Sequence, residues 1–169
     1  MNPVSKLMHY DNPSTSDIPN ISLYMDQLLE YFESTLGELK RQDEDAVLTK
    51  TMINNYVKAG LIKAPDKKKY DRESISDLII IYHLKKAFSI QDTMQLLKTM
   101  KQSQEYYEPF IDGQKSVREQ ISSSIVSDLE NMSDEEVLKL LQTLTHEITV
   151  KKQLSETLID YLSSKISVK

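Results

Sequence analysis

One stretch, DRESISDLIIIYHLKKAF at residues 71–88, limits the possible folds more than any other. Asp71 is placed to cap a helix with Glu73 in its first turn. Ile75, Leu78, Ile79, Tyr82 and Phe88 then recur at helical spacing, and Ile80, Ile81 and Leu84 leave almost no polar side. A helix apolar nearly all round must be surrounded by other elements. Arg72–Phe88 is therefore expected to be the central core helix, and the rest of the chain has to wrap it. With only 3 Gly and 5 Pro in 169 residues, the wrapping layers are expected to be helices rather than the short strands of an all-β sandwich.

The flanking segments fit that expectation. Ser89–Asp92 reads SIQD, a capping box opening a short helix to about Met100 with Ile90, Met94, Leu97 and Met100 on its apolar face. Upstream, Ile21, Met25, Leu28, Leu29, Phe32, Leu36 and Leu39 form one helical face with Asn20 or Ser22 as its cap, and RQDED at Arg41–Asp45 is a surface connection. A further helix is expected from Thr49 or Lys50 to a left-handed stop at Gly60. Leu61–Lys63 and Lys68–Tyr70 flank APD and predict a tight hairpin, a wing.

At the ends, residues 1–20 hold Pro3, Pro13 and Pro19 among Ser, Thr, Asn and Asp, and read as an irregular N-terminal arm. Residues 103–131 read as helical with a weak point near Pro109 and Gly113. SDEE at Ser133–Glu136 starts a helix whose apolar stripe runs through Val137, Leu141, Leu144, Ile148, Leu158, Tyr161, Leu162 and Ile166. That stripe predicts either a helical hairpin within one chain or a seam between two copies. The division that follows is arm 1–20, a helical domain with its wing at 21–100, and a helical accessory or dimerisation region at 101–169.

Several function classes are disfavoured. Without Cys there are no disulfides or thiolate metal sites. His9, His83 and His146 show no metal-ligand spacing, so neither a metal nor another cofactor is expected. His83 sits within the apolar run with no partner at a catalytic spacing and reads as a core or rim histidine. Glu105, Glu108 and Asp112 read as a solvated helix face. No glycine-rich phosphate loop is present, and an enzyme is not expected. The N-terminus has no apolar signal region and no run is long enough to span a bilayer, which makes the cytoplasm the expected location.

The charge is uneven. The chain carries −5 overall, yet residues 49–72 hold seven Lys and Arg (Lys50, Lys58, Lys63, Lys67, Lys68, Lys69, Arg72) against two acids, Asp66 and Asp71. Fields act over about a Debye length, so a basic island in an acidic body can still meet a polyanion. At about 100° per residue, Lys50, Thr51, Asn54, Asn55 and Lys58 share one arc of the 50–58 helix, while Met52, Ile53, Tyr56 and Val57 share the other. Lysine offers point charge to phosphates, and asparagine can pair with the N6/N7 edge of adenine. With Lys67, Lys68 and Lys69 beside it, this helix reads as a nucleic-acid contact, with Arg72 as a further backbone contact and Tyr56 packed inward.

At these residues the sequence resembles the MerR-type winged helix-turn-helix. Tyr56, Gly60-Leu61-Ile62, Pro65, Lys68, Tyr70, Ile75 and Leu78 follow that family's order, and FSIQDTMQLL (Phe88–Leu97) resembles its next helix, over about residues 46–100. A closer likeness is to an uncharacterised bacterial family named domain of unknown function eighteen thirty-six. IPNISLYMDQLLEYFE, LTKTMINNYVKAGLI, KKKY and LIIIYHLKKAFSIQD resemble its signature segments, over about residues 18–100. Asn54-Asn55-Tyr56 stands where MerR-type helices carry Arg-Tyr-Tyr, and Lys68 replaces a wing Arg, so charge is retained without the bidentate fork.

The resemblance implies an all-α fold with a small β-hairpin wing, a MerR-like winged helix-turn-helix plus a C-terminal helical region. It implies a bacterial, sequence-specific regulator of transcription that binds double-stranded DNA. A homodimer through the C-terminal helices would place two half-sites together, and no effector is specified. The alternative is a winged-helix module that binds an acidic protein instead of DNA.

Overall fold

A computed structural model describes residues 3–126 and 129–166. The chain is mostly helical with one small two-stranded antiparallel sheet. Seven α-helices are present among the described residues: α1 (Pro3–Met8), α2 (Met25–Leu36), α3 (Lys50–Lys58), α4 (Arg72–Leu84), α5 (Ile90–Met100), α6 (Tyr107–Ile121) and α7 (Asp134–Ile166). Two short strands, β1 (Leu23–Tyr24) and β2 (Lys69–Tyr70), make the sheet. The chain divides into two units, Met1–Glu119 and Gln120–Lys169. No helix among the described residues is long and apolar enough to cross a membrane.

In the first unit α4 is the centre. Ile75, Leu78, Ile79, Ile80 and Ile81 are completely buried. Each such side chain contributes about 1.5–3 kcal/mol by leaving water. Around them lie Leu28, Phe32 and Leu36 of α2, Ile53 and Tyr56 of α3, Leu97 of α5, and Tyr107 and Ile111 of α6. Asp71 caps α4 by accepting from the Ser74 amide at 3.0 Å. A helix buried on every side must also settle its polar residues. Ser74 Oγ donates to Asp71 and Ser76 Oγ to the Arg72 carbonyl, while the Asp77 carboxylate accepts from Lys101 Nζ and Tyr106 OH, each at 2.8 Å. The helix ends at Leu84 rather than Phe88, and residues 85–88 form a turn closed by Lys85 Nζ on the Phe88 carbonyl.

The sheet differs from the expected hairpin in its partner. Leu23 pairs with Tyr70 and Tyr24 with Lys69, so β2 joins a strand from before α2, not Leu61–Lys63. Leu61 and Ile62 are instead buried in the core. The Leu61 amide is already used, donating to the Tyr56 carbonyl at 2.9 Å to close the end of α3. A tight turn does form, but at Asp66–Lys69 rather than over APD, with the Lys69 amide donating to the Asp66 carbonyl at 2.8 Å.

The first unit also extends past residues 21–100 at both ends. The segment read as an irregular arm contains α1 and a turn of 3-10 helix at Thr15–Asp17, and it places Tyr10 and Ile18 in the core. Tyr10 OH donates to the Thr35 carbonyl at 2.9 Å, and Tyr107 OH donates to the Pro13 carbonyl at 2.6 Å. Glu108, read as solvated, accepts from the Thr15 amide at 2.6 Å. His83 is half-buried, in keeping with the core or rim histidine that its setting implied, and lies 2.7 Å from Asn12 Oδ1. Helix α2 starts at Met25 with Tyr24 as its cap, not Asn20 or Ser22, and Ile21 lies outside it, 70% exposed.

In the second unit α7 is one helix of 33 residues, about 50 Å long at 1.5 Å per residue. Ser133 and Glu136 form the capping box read from SDEE, with the Ser133 amide donating to Glu136 Oε2 at 2.8 Å. Along α7 Leu141, Ile148, Leu154, Leu158 and Tyr161 are half or more exposed.

Candidate nucleic-acid interface

Helix α3 is a short element held by its ends. At its start the Thr49 hydroxyl accepts from the Met52 amide at 3.2 Å. At its end Gly60 takes φ +75°, and the Gly60 and Leu61 amides donate to the Val57 and Tyr56 carbonyls at 3.0 and 2.9 Å. This is the Schellman arrangement, and glycine enters the left-handed region without a Cβ penalty. Both caps depend only on local sequence, which is why the limits of α3 were readable.

The two arcs separate as the spacing implied. Ile53 and Tyr56 are buried and Met52 and Val57 half-buried. Lys50, Thr51, Asn54, Asn55 and Lys58 are all exposed. Burial raises the pKa of the Tyr56 phenol, in keeping with a packing role.

The turn after α3 adds a feature that spacing did not show. Lys67 and Lys68 both have positive φ, 47° and 66°. They occupy the two central positions of a tight turn of the I′ kind, where Asn-Gly is the preferred pair. A side chain with a Cβ is disfavoured there by about 1–2 kcal/mol per residue. Lys67 and Lys68 are exposed at this tip, and Lys69 is half-buried with Nζ 4.7 Å above the ring of Tyr24.

Among the described residues, Lys50, Lys58, Lys67, Lys68 and Lys69 form no ion pair. Two other basic residues of the island are engaged. Lys63 Nζ lies 2.5 Å from Asp71 and 3.0 Å from Glu73, and these partners raise its pKa. Arg72 is half-buried, and its Nη2 donates to the Thr15 carbonyl. Its guanidinium ties the N-terminal segment to the first turn of α4, so Arg72 belongs to the scaffold rather than to the exposed cations. Nothing local signals that contact, because 57 residues separate the partners.

The chain from Lys58 to Lys67 spans nine peptide steps and cannot reach beyond about 30 Å.

A family model described as domain of unknown function (DUF1836) matches residues 13–119. The match ends at Glu119, where the first unit ends. No curated protein and no solved structure matches the chain.

Proposed function

The chain belongs to the DUF1836 family, and we propose that it is a DNA-binding regulator of transcription built as a MerR-like winged helix-turn-helix. The α3 face of Lys50, Thr51, Asn54, Asn55 and Lys58 enters the major groove or rests on its phosphates. Lys67, Lys68 and Lys69 hold the backbone beside it. Asn54 and Asn55 supply the amides for base edges, and the lysines supply salt-dependent affinity.

The observation that carries this reading is the pair of lysines at positive φ. A turn needing only to reverse the chain is served best by Asn-Gly; two lysines there place charge at an exposed tip at the expense of stability.

A second copy covers the stripe on α7 in this proposal. Asp134, Glu135 and Glu136 lie in the first turn of α7 and Lys165 in the last, so antiparallel pairing sets opposite charges together. Two linked first units then engage two half-sites, and linkage raises overall affinity.

The test is duplex binding across a salt series. With four to six phosphates neutralised per protomer, log affinity falls against log salt with a slope of about −4 to −5. Replacing Lys67→Asn and Lys68→Gly together is expected to raise folding stability by about 1–2 kcal/mol and flatten that slope by about 2. Because the variant is more stable than the parent, weaker binding cannot come from unfolding. An absence of salt-dependent binding to any duplex, with capture of an acidic protein instead, would leave the basic face as a protein-interaction surface.

A further inference from the structure

Behind the Lys67–Lys68 turn, beside the sheet, lies a recess of about 470 Å³. Its wall combines two segments far apart in sequence. Ser22 and Tyr24 come from the β1 side, and Lys67 and Lys69 come from the turn and β2. Lys63 also lines it, but its ammonium is held by Asp71 and Glu73. Four donors remain: Ser22 Oγ, Tyr24 OH, Lys67 Nζ and Lys69 Nζ. No hydrogen bond or ion pair to protein engages any of the four among the described residues. The Tyr24 ring holds the Lys69 ammonium by its face, which positions the charge without neutralising it. Asp71 at the edge is balanced by Lys63, and Asp66 is the remaining carboxylate of the lining.

Two hydroxyls and two ammonium groups without protein partners thus line one recess, against a single carboxylate, Asp66, that no cation pairs among the described residues. The ligand that fits them is a compact group with several acceptor oxygens and negative charge. We propose that this recess binds a phosphate group. The inference rests on the DNA-binding reading for the source it favours, a backbone phosphodiester of the bound duplex. It extends the contact surface from the turn onto β1, a segment outside the α3 face. Ser22 and Tyr24 donate to the phosphate oxygens from one side, and Lys67 and Lys69 neutralise them from the other.

The experiment has two arms on the full-length protein. In the first, inorganic phosphate is titrated while backbone amide resonances are followed by NMR. Saturable shifts at Ser22, Tyr24 and Lys69 are expected at millimolar phosphate, at least tenfold weaker in Lys69→Gln and several-fold weaker in Ser22→Ala. Ser22 is exposed, so its replacement leaves the fold intact if Lys69→Gln disturbs the sheet. In the second arm the duplex salt series is repeated with Lys69→Gln, whose slope is expected to be flatter by about 1. Saturation by phosphate together with a flatter slope assigns the occupant to the DNA backbone. Saturation with no duplex binding by the parent protein ends the DNA reading but keeps the recess, with free phosphate as its occupant. Duplex binding of full slope in Lys69→Gln, with no saturable phosphate response, overturns the recess and removes Lys69 from the backbone contacts, leaving DNA binding to the α3 face, Lys67 and Lys68.

Discussion

Helices α4 and α7 are made from much the same apolar residues and meet opposite surroundings. In α4 Ile75, Leu78, Ile79, Ile80 and Ile81 are wholly buried, whereas in α7 Ile148 is 64% exposed and Leu141 59%. The difference lies in what holds each helix. The stability of α4 comes from burial, about 1.5–3 kcal/mol for each large side chain. α7 has its capping box and three ion pairs at four-residue spacing, Glu135–Lys139, Glu147–Lys151 and Lys152–Glu156. Each such pair is worth about 0.2–0.5 kcal/mol. Apolar content alone therefore does not say whether a helix is core. The arrangement of that content does: α4 is apolar on all sides, and α7 along one stripe.

The largest effect expected from this contrast is in α4. Ile79→Ala should remove about 2–5 kcal/mol of stability in urea denaturation. A loss below 1 kcal/mol would mean that the centre of the first unit relaxes around the gap and is not the tight core described.

The next concerns the one histidine of α4. Burial, with the nearby Arg118 and Lys86 cations adding to it, pushes the His83 imidazole down to about 3. The unfolded chain titrates near 6.5, so the unfolded state takes up the proton first as pH falls. The stabilisation is full above about pH 6.5 and declines toward pH 3, by at most about 1.4 kcal/mol per pH unit. Denaturation at pH 7 and pH 5 should differ by about 2 kcal/mol more in the parent than in His83→Gln. Equal pH dependence in the two proteins would contradict a neutral buried imidazole.

The smallest effect is in α7. Leu141→Ala should change the stability of the dilute protein by less than about 0.5 kcal/mol, as for an exposed site. The same substitution should matter more as protein concentration rises, because pairing by a second copy makes stability concentration-dependent. A large loss at high dilution would show that Leu141 is covered within its own chain.

The candidate site was legible in part, and the parts differ in range. The caps of α3, α4 and α5 and the two arcs of α3 involve residues three or four apart, where side-chain chemistry acts on its own backbone. The turn lies at Asp66–Lys69, just past the expected APD, and its strain was out of view, since nothing in KKK announces positive φ. The partner of β2, the Tyr24 ring under Lys69 and the Thr15 carbonyl under Arg72 were all out of view. Each pairs residues 45 or more positions apart. The N-terminal segment went unread for the same reason: Tyr10 and Ile18 show no period, and their partners lie in other helices.

Taken alone, the sequence determined that helices form at α2 to α5 and α7, though not at α1, and which face of α2, α3 and α5 is apolar, because periodicity and capping are settled within one or two turns. It also determined where positive charge concentrates. Tertiary structure decided which of those charges stay available. Lys63 and Arg72 meet acceptors brought close by folding, while Lys67 and Lys68 do not. Hydrogen bonds and ion pairs act over only a few ångströms, so charges in one basic run acquire different roles once distant segments pack beside them.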